Sequence, residues 1–327
     1  MRWLTRAIGG LATLICLSAC TTSTPHSRDF SFAFLADTQY NAREEFAFSN
    51  MLSALNKEQF SFIVHGGDFK SGSNAPCEDA LYTRRLEEYK QSENPFIFIP
   101  GDNDWVDCQR ASNGAQDPLE RLAKLRMLFY TSEESLGKRR ITVARQGDAR
   151  AAGSTVNGTV LHYPENMRWQ KEGVVFFTVN VQGSNDNVGF SAASDAEQRV
   201  RESANIAWMQ AAFDIAEHDN AVGVVMFLQA NPGFEEPLAK VAKSAYLPFL
   251  RAFEASATTW NRPVLFAHGD THQFRLLPYL SPIDRKPILN VTRLETFGSP
   301  HTNWVRINVT PANTSAPFAI MLGGMGF

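Results

Sequence analysis

This chain is poor in several things that would settle its function quickly. Among its 327 residues, no apolar run after the first twenty reaches the ~18 residues that a spanning helix needs. Its 31 basic and 34 acidic residues leave a net charge of −3 and form no basic stripe, so nothing calls for binding a nucleic-acid backbone. No G-x-S-x-G occurs, which removes the usual strand–turn–helix serine nucleophile. Cysteine is scarce, at four residues, and histidine stands at only seven. The 44% hydrophobic and 20% charged content is otherwise that of an ordinary globular protein, long enough to bury a large core without staples.

The N-terminus is distinctive. Arg2 and Arg6 precede an apolar run from Ala7 to Leu17, too short to span a membrane as a mature helix, which ends in Leu17-Ser18-Ala19-Cys20. This resembles a bacterial lipoprotein signal, with Cys20 as the lipidation site. Residues 1–20 read as signal peptide, 21–29 as a polar tether, and 30–327 as one domain. The expected location is exported, at the periplasmic face or outer membrane, with the lipid as the only membrane attachment. An ordinary secretory signal is the alternative. Cys77 and Cys108 are the remaining cysteines, and an oxidising compartment favours pairing them. Their loops are neighbours if the motifs below share an edge, which predicts a Cys77–Cys108 disulfide, two free thiols being the other outcome.

From Phe30 the chain alternates apolar runs with amphipathic stretches. Strands are expected at 30–36, 60–65 and 96–99, with helices at 43–57, 78–91 and 118–129. The last has Asp117 as a cap and Pro118 in its first turn. Residues 131–173 are polar, with weak strands near 141–145 and 158–163. Strand 174–180, a loop at 183–193, helix 195–217, strand 222–228, helix 236–256 and strand 263–267 follow. Four strand-like runs close the chain, at 273–279, 287–297, 303–310 and 317–322. This βαβα order signals a largely parallel sheet covered by helices.

Five short polar motifs lie in order, most of them directly after an apolar run. They are Asp37-Thr38-Gln39, Gly67-Asp68, Gly101-Asp102-Asn103-Asp104, Gln229-Ala230-Asn231-Pro232 and His268-Gly269-Asp270-Thr271-His272. Strands that end together bring their last residues side by side, so these motifs point to one metal site on a sheet edge. In order and context they resemble the calcineurin-like metallophosphoesterase superfamily, whose pattern is D-x-H, G-D, G-N-H-D/E, a strand-end His, then G-H-x-H. Asp37, Asp68 and His272 stand in register with it, as do Gly67, Gly101, Gly269 and the acidic Asp104, which is expected to be catalytic together with Asn103 and His268. The resemblance implies a four-layer αββα sandwich with two divalent metal ions. It implies that Asp37, Gln39, Asp68 and His272 hold one metal, and Asp68, Asp102, Gln229 and Asp270 the other. The implied activity is hydrolysis of phosphate mono- or diesters by metal-activated water.

The departures are as informative. Gln39 and Asp270 replace histidines, Asp102 replaces an asparagine, Gln229 (or Asn231) stands at the strand-end histidine, and Asn103 replaces the transition-state histidine. A set this rich in oxygen, with each amide ligating through its carbonyl, favours Mn²⁺, Mg²⁺ or Ca²⁺ over Zn²⁺, with iron also admitted. Asn103 can donate to an oxyanion but cannot deliver a proton, which turns attention to His268 and to His301 in the Gly298-to-His301 turn. His268, Asp270 and His272 would share one side of an extended backbone. Arg110 is a candidate for a substrate phosphate. Arg84 and Arg85 read as a solvated helix face, His65 as structural, and Trp105 as either pocket wall or packing. The missing imidazoles also admit a non-catalytic envelope lipoprotein on the same fold.

Overall fold

A computed structural model describes residues 28–323. The lipidation site expected at Cys20, the expected signal and residues 21–27 of the expected tether lie outside the described residues. The first sheet is built from β1 (Phe30–Leu35), β2 (Ile63–His65) and β3 (Phe96–Phe98), joined through α1 (Ala42–Leu55) and α2 (Asp79–Lys90). The third helix, α3 (Pro118–Phe129), is capped by the Asp117 side chain on the Leu119 N–H. Next come β4 (Ala144–Gln146), the small pair β5 (Thr155–Val156) and β6 (Thr159–Val160), then β7 (Tyr163–Lys171) and β8 (Val174–Thr178). The long α4 (Ala192–His218), β9 (Gly223–Phe227), α5 (Leu247–Trp260) and β10 (Val264–His268) continue the α/β order. β11 (Arg275–Leu280), β12 (Pro287–Glu295), β13 (Val305–Val309) and β14 (Phe318–Leu322) complete it.

Five strands form one sheet in the order β14-β13-β1-β2-β3, and seven form another in the order β11-β12-β10-β9-β8-β7-β4. Between them lies an aromatic layer in which Phe32 meets Phe176 at 5.5 Å and Phe62 meets Phe176 at 5.0 Å, while Trp169 stacks on Phe176. α1, α2 and α3 pack on the five-stranded sheet, and α4 and α5 on the seven-stranded one. Helix, sheet, sheet and helix give the four-layer αββα sandwich expected of the calcineurin-like resemblance. β1, β2 and β3 are mutually parallel, as are β8, β9, β10 and β12. Their C-terminal ends therefore open on one edge.

Three expectations change. The single helix expected at 236–256 is two, a short turn at Leu238–Val241 and then α5, where Pro248 stands in the first turn. β7 is a full strand although Tyr163–Lys171 is polar. Glu165, Asn166 and Arg168 are buried there because each has a partner: Arg126 on Glu165, Gln146 and Asn205 on Asn166, and the Trp208 face under Arg168. Arg85 is also not on a solvated face. It is buried and donates to the carbonyls of Phe69 and Gln39 and to Glu45 and Glu88, whereas Arg84 is exposed. The disulfide joins Cys77 to Cys108, with their Cα atoms 5.7 Å apart.

Candidate metal centre

The five motifs meet at the edge where the parallel strands end. Asp37 follows β1, and its N–H donates to the Gly67 carbonyl, tying the first motif to the second. Its carboxylate accepts the Asp270 N–H at 3.2 and 3.1 Å, and its Oδ1 lies 3.7 Å from His272 Nε2. Asp68 accepts the Asn103 N–H at Oδ1 (3.0 Å) and the Gln229 amide nitrogen at Oδ2 (3.1 Å). Two glycines make the approach possible: a Cβ on Gly101 would lie 2.0 Å from Asp68 Oδ1, and one on Gly269 would lie 2.2 Å from Asp37 Oδ2.

The backbone here is unusual. Asp37, Gln39, Asp68, Asp270 and His272 all have positive φ, between 53° and 86°. Non-glycine residues rarely adopt this region, and its cost of order 1–3 kcal/mol each is a mark of functional sites. Five of the seven candidate ligands are thus aimed by left-handed backbone, which the sequence did not disclose.

That geometry corrects His268. The chain does not stay extended from 268 to 272, because Asp270 and His272 are left-handed, so the three side chains do not share a side. His268 is fully buried, with Nδ1 on the Gly269 carbonyl at 2.7 Å and Nε2 accepting from Arg293 at 2.9 Å. Burial, with Arg293 beside it, pushes its pKa well below the ordinary value, and it cannot serve as an acid. Asp104 is a bracket rather than a reacting group. Its buried carboxylate accepts the N–H groups of Asp68, Phe69 and Gly101 at 2.8–2.9 Å. Burial lifts its pKa to about 7 against those three bonds.

His301 is not brought to the carboxylates; it lines a separate cavity with Arg43, Phe46 and Asn50. Its neighbour Ser299 does serve the site, because its carbonyl binds His272 Nδ1 at 2.9 Å and leaves Nε2 facing Asp37. Trp105 packs, buried, with its N–H on Gln182. His65 is structural, as expected: it is buried, accepting the Gly67 N–H at Nδ1.

Asp102 accepts from the Ser184 hydroxyl at 2.7 Å, and the same hydroxyl reaches Asp107 at 2.9 Å. Arg110 pairs with Asp107 at 2.7 Å, which places it one residue from the acidic group. Ser184 begins a run of four left-handed residues, Ser184 to Asn187, inside the expected loop. Gln229 turns its amide nitrogen to Asp68 while its carbonyl accepts the Gly183 N–H at 2.6 Å, so carbonyl ligation is not its present arrangement. Gln39 gives its nitrogen to Glu88, and its buried Oε1 has no partner.

Two residues were missed. Tyr40 places its hydroxyl 3.3 Å from Asp68 Oδ2, 3.2 Å from His272 Nε2 and 2.9 Å from Asn103 Nδ2. Lys70 is buried and donates to the Asn103 and Ser71 carbonyls at 2.8 Å. Burial lowers its pKa, while Asp104, Asp68, Asp107 and Asp102 pull the other way. Their signal was adjacency alone, one residue after Gln39 and two after Asp68.

Burial is the largest cause of the raised pKa values of Asp37 and Asp68, and mutual repulsion follows. Asp270 and Asp102 act on Asp37, and Asp102 and Asp37 act on Asp68. Asp270 is lifted to about 8, by burial and then by Asp102. Divalent cations fit this donor set: it is oxygen-rich, buried and self-repelling, with the Gln39 oxygen unpartnered. As the side chains stand, no three His, Cys, Asp or Glu residues among those described meet in ligating geometry. Hydrogen bonds from Tyr40, Ser184 and the Asp270 and Asn231 N–H groups occupy the carboxylates instead.

Residues 30–181 match the calcineurin-like phosphoesterase family. The match takes in the first three motifs and stops before Gln229 and the His268-to-His272 run; at a coarse level it supports a metal-dependent phosphoester hydrolase, with divalent metals implied. A comparison with curated proteins finds no match. Among solved structures, one described as GAP50, the anchor in the inner membrane complex of Plasmodium, is 10% identical with a TM-score of 0.48, over 91% of this chain and 90% of its own. A dimetal phosphatase from Danio rerio is 11% identical with a TM-score of 0.45, over 85% of this chain and 92% of its own. Neither likeness carries over a function.

Proposed function

We propose that this protein is an exported, lipid-anchored calcineurin-like hydrolase of phosphate mono- or diesters, working with two divalent ions of the Mn²⁺, Mg²⁺ or Ca²⁺ kind. The observation that carries the reading is the convergence of Asp37, Asp68, Asp102 and Asp270 from four strand ends, three buried and Asp270 half-buried, close enough that Asp270 and Asp102 raise the pKa of Asp37, and Asp102 and Asp37 that of Asp68. Asp37, Asp68 and His272, with Gln39, would hold one ion. Asp68, Asp102 and Asp270, with Gln229 turned over, would hold the other. Ions bound there supply positive charge for the phosphoryl oxygens and acidity for a water. The chain's own residues orient the substrate. Asn103 Nδ2, which now donates to the Tyr40 hydroxyl and the Lys70 carbonyl, gives one of these up for a phosphoryl oxygen, and such a donor is worth about 3–4 kcal/mol. Arg110, half-exposed beside Asp107, meets a second anionic oxygen. With His268 sealed away and Asn103 unable to protonate, the substrates this site suits are esters whose alcohol leaves without a strong acid.

The test is turnover of a panel of phosphate mono- and diesters with Mn²⁺, Mg²⁺, Ca²⁺ and Zn²⁺ in turn. Activity should need a divalent ion and fall at least 1,000-fold in Asp68→Ala, on the order of the 4 kcal/mol that losing a charge-stabilising group costs. Absence of turnover with every metal would sink the enzymatic reading. A second reading, a non-catalytic envelope protein on this fold, is favoured by one observation: the Tyr40 hydroxyl and the Gln229 amide nitrogen already satisfy Asp68. Under it, ions raise the melting temperature and nothing turns over.

A further inference from the structure

The two sheets are unequal, five strands against seven, so the β11–β12 flank of the larger sheet overhangs the edge strand β14. The overhang leaves an open groove of about 930 Å³ lined by Leu276, Leu289, Val291, Pro317, Phe318 and Ile320. Leu289 is 94% exposed, and Leu276, Leu277 and Leu280 are all more than 40% exposed. Monomeric proteins rarely leave so many large apolar side chains together without a use for them.

The position of the groove identifies its occupant. It lies towards the N-terminal ends of β10 and β14, the end opposite the metal centre. The described chain starts at that same end. The Arg28 N–H is held by Glu172 at the β7–β8 turn, and Phe30 pairs with Val309, which pairs with Phe318 on the groove wall. Two strand spacings put Phe30 about 10 Å from Phe318. Seven residues separate Cys20 from Arg28, a reach of about 25 Å at full extension. A lipid on Cys20 would therefore keep the end where the chain starts nearest to a bilayer.

We infer that the overhang is a membrane-contact face, which seats the protein on the bilayer holding its own lipid with the leucines of β11 and β12 at the surface. This rests on the lipid-anchor part of the proposed function and goes beyond it. The metal centre then lies across the length of the strands, about 16 Å for the five residues of β10, and opens away from the surface. The substrates it can take are phosphoesters dissolved in water, not the headgroups of the membrane beneath.

Both hydrophobic cores and the side chains packed against them are drawn from residues 30–320, so a chain starting at Thr21 keeps every one of them without its signal or lipid. That soluble chain should float with vesicles of phosphatidylethanolamine and phosphatidylglycerol. Leu276→Glu with Leu289→Glu should reduce flotation at least tenfold with an unchanged far-UV spectrum and melting temperature. No flotation of the parent, or equal flotation of the variant, overturns the inference. So does a concentration-dependent dimer that the same variant abolishes, because the groove would then belong to a second copy. Mass spectrometry of the full chain extracted from membranes must show a lipid on Cys20; an unmodified Cys20 overturns the orientation argument. None of these readouts uses turnover, so their failure is distinct from failure of the catalytic reading.

Discussion

At the scale of single residues, the site is defined by where side chains are denied water. His65 gives the cleanest test. Buried with Arg85 nearby, it is pushed down to about 3. The unfolded chain titrates near 6.5, so between these values the unfolded state alone binds the proton and stability is lost as pH falls. Relative to wild type, His65→Asn should be spared this loss. The difference between the two unfolding free energies should shift by up to about 1.4 kcal/mol per pH unit between pH 6 and 4, read from urea titrations. The aspartates and His272 were legible because each ends or follows an apolar run. Tyr40 and Lys70 were not, since nothing in a sequence separates a tyrosine beside a ligand from one beside a core. His268 was misassigned because backbone hand, which decides the facing of every residue after a strand end, leaves no mark on a run of Gly, Asp and Thr.

At the scale of elements, the strands with apolar bodies were legible to within a few residues, as was the exact span of α3. β7 was not, because its polar residues are buried with partners supplied by helices and loops elsewhere. The loops after β2 and β3 each contribute aspartates, and the Cys77–Cys108 bond ties them together. Closing a 31-residue separation removes unfolded-state entropy worth about 3–4 kcal/mol. The paired substitution Cys77→Ser, Cys108→Ser should cost about that much in unfolding free energy. It should also weaken divalent-ion binding, measured by calorimetry, because the two loops would no longer be held in register. An unchanged ion affinity would mean that the disulfide supports the fold and not the site.

At the scale of the whole molecule, the ion-free protein carries a store of repulsion. Asp37, Asp68 and Asp270 have folded pKa values above their unfolded ones. Their contribution is therefore full below the ordinary carboxylate range and is lost as pH rises, through about 8 for Asp270. Above pH 7 His65 is neutral in both states and adds no pH dependence, so the melting temperature of the ion-free protein should fall between pH 7 and 9. A divalent ion at a hundredfold excess over Kd should add about 2.7 kcal/mol. That is about 5 °C at roughly 2 °C per kcal/mol for a chain of this size. The gain should be larger at pH 8.5 than at pH 6, where ions compete with protons. A gain independent of pH would place the ions elsewhere.

The left-handed backbone under five candidate ligands has a kinetic meaning. A cluster assembled by side-chain rotation would have to gather itself around each arriving cation. Here the main chain has fixed where five side chains start, and what remains on arrival is the turning of side chains such as Gln229 and the exchange of held hydrogens, one of them on a tyrosine hydroxyl, for an ion. Capture in such a cradle is governed by how fast the occupant hydrogens leave, and the empty cradle keeps its shape between one guest and the next.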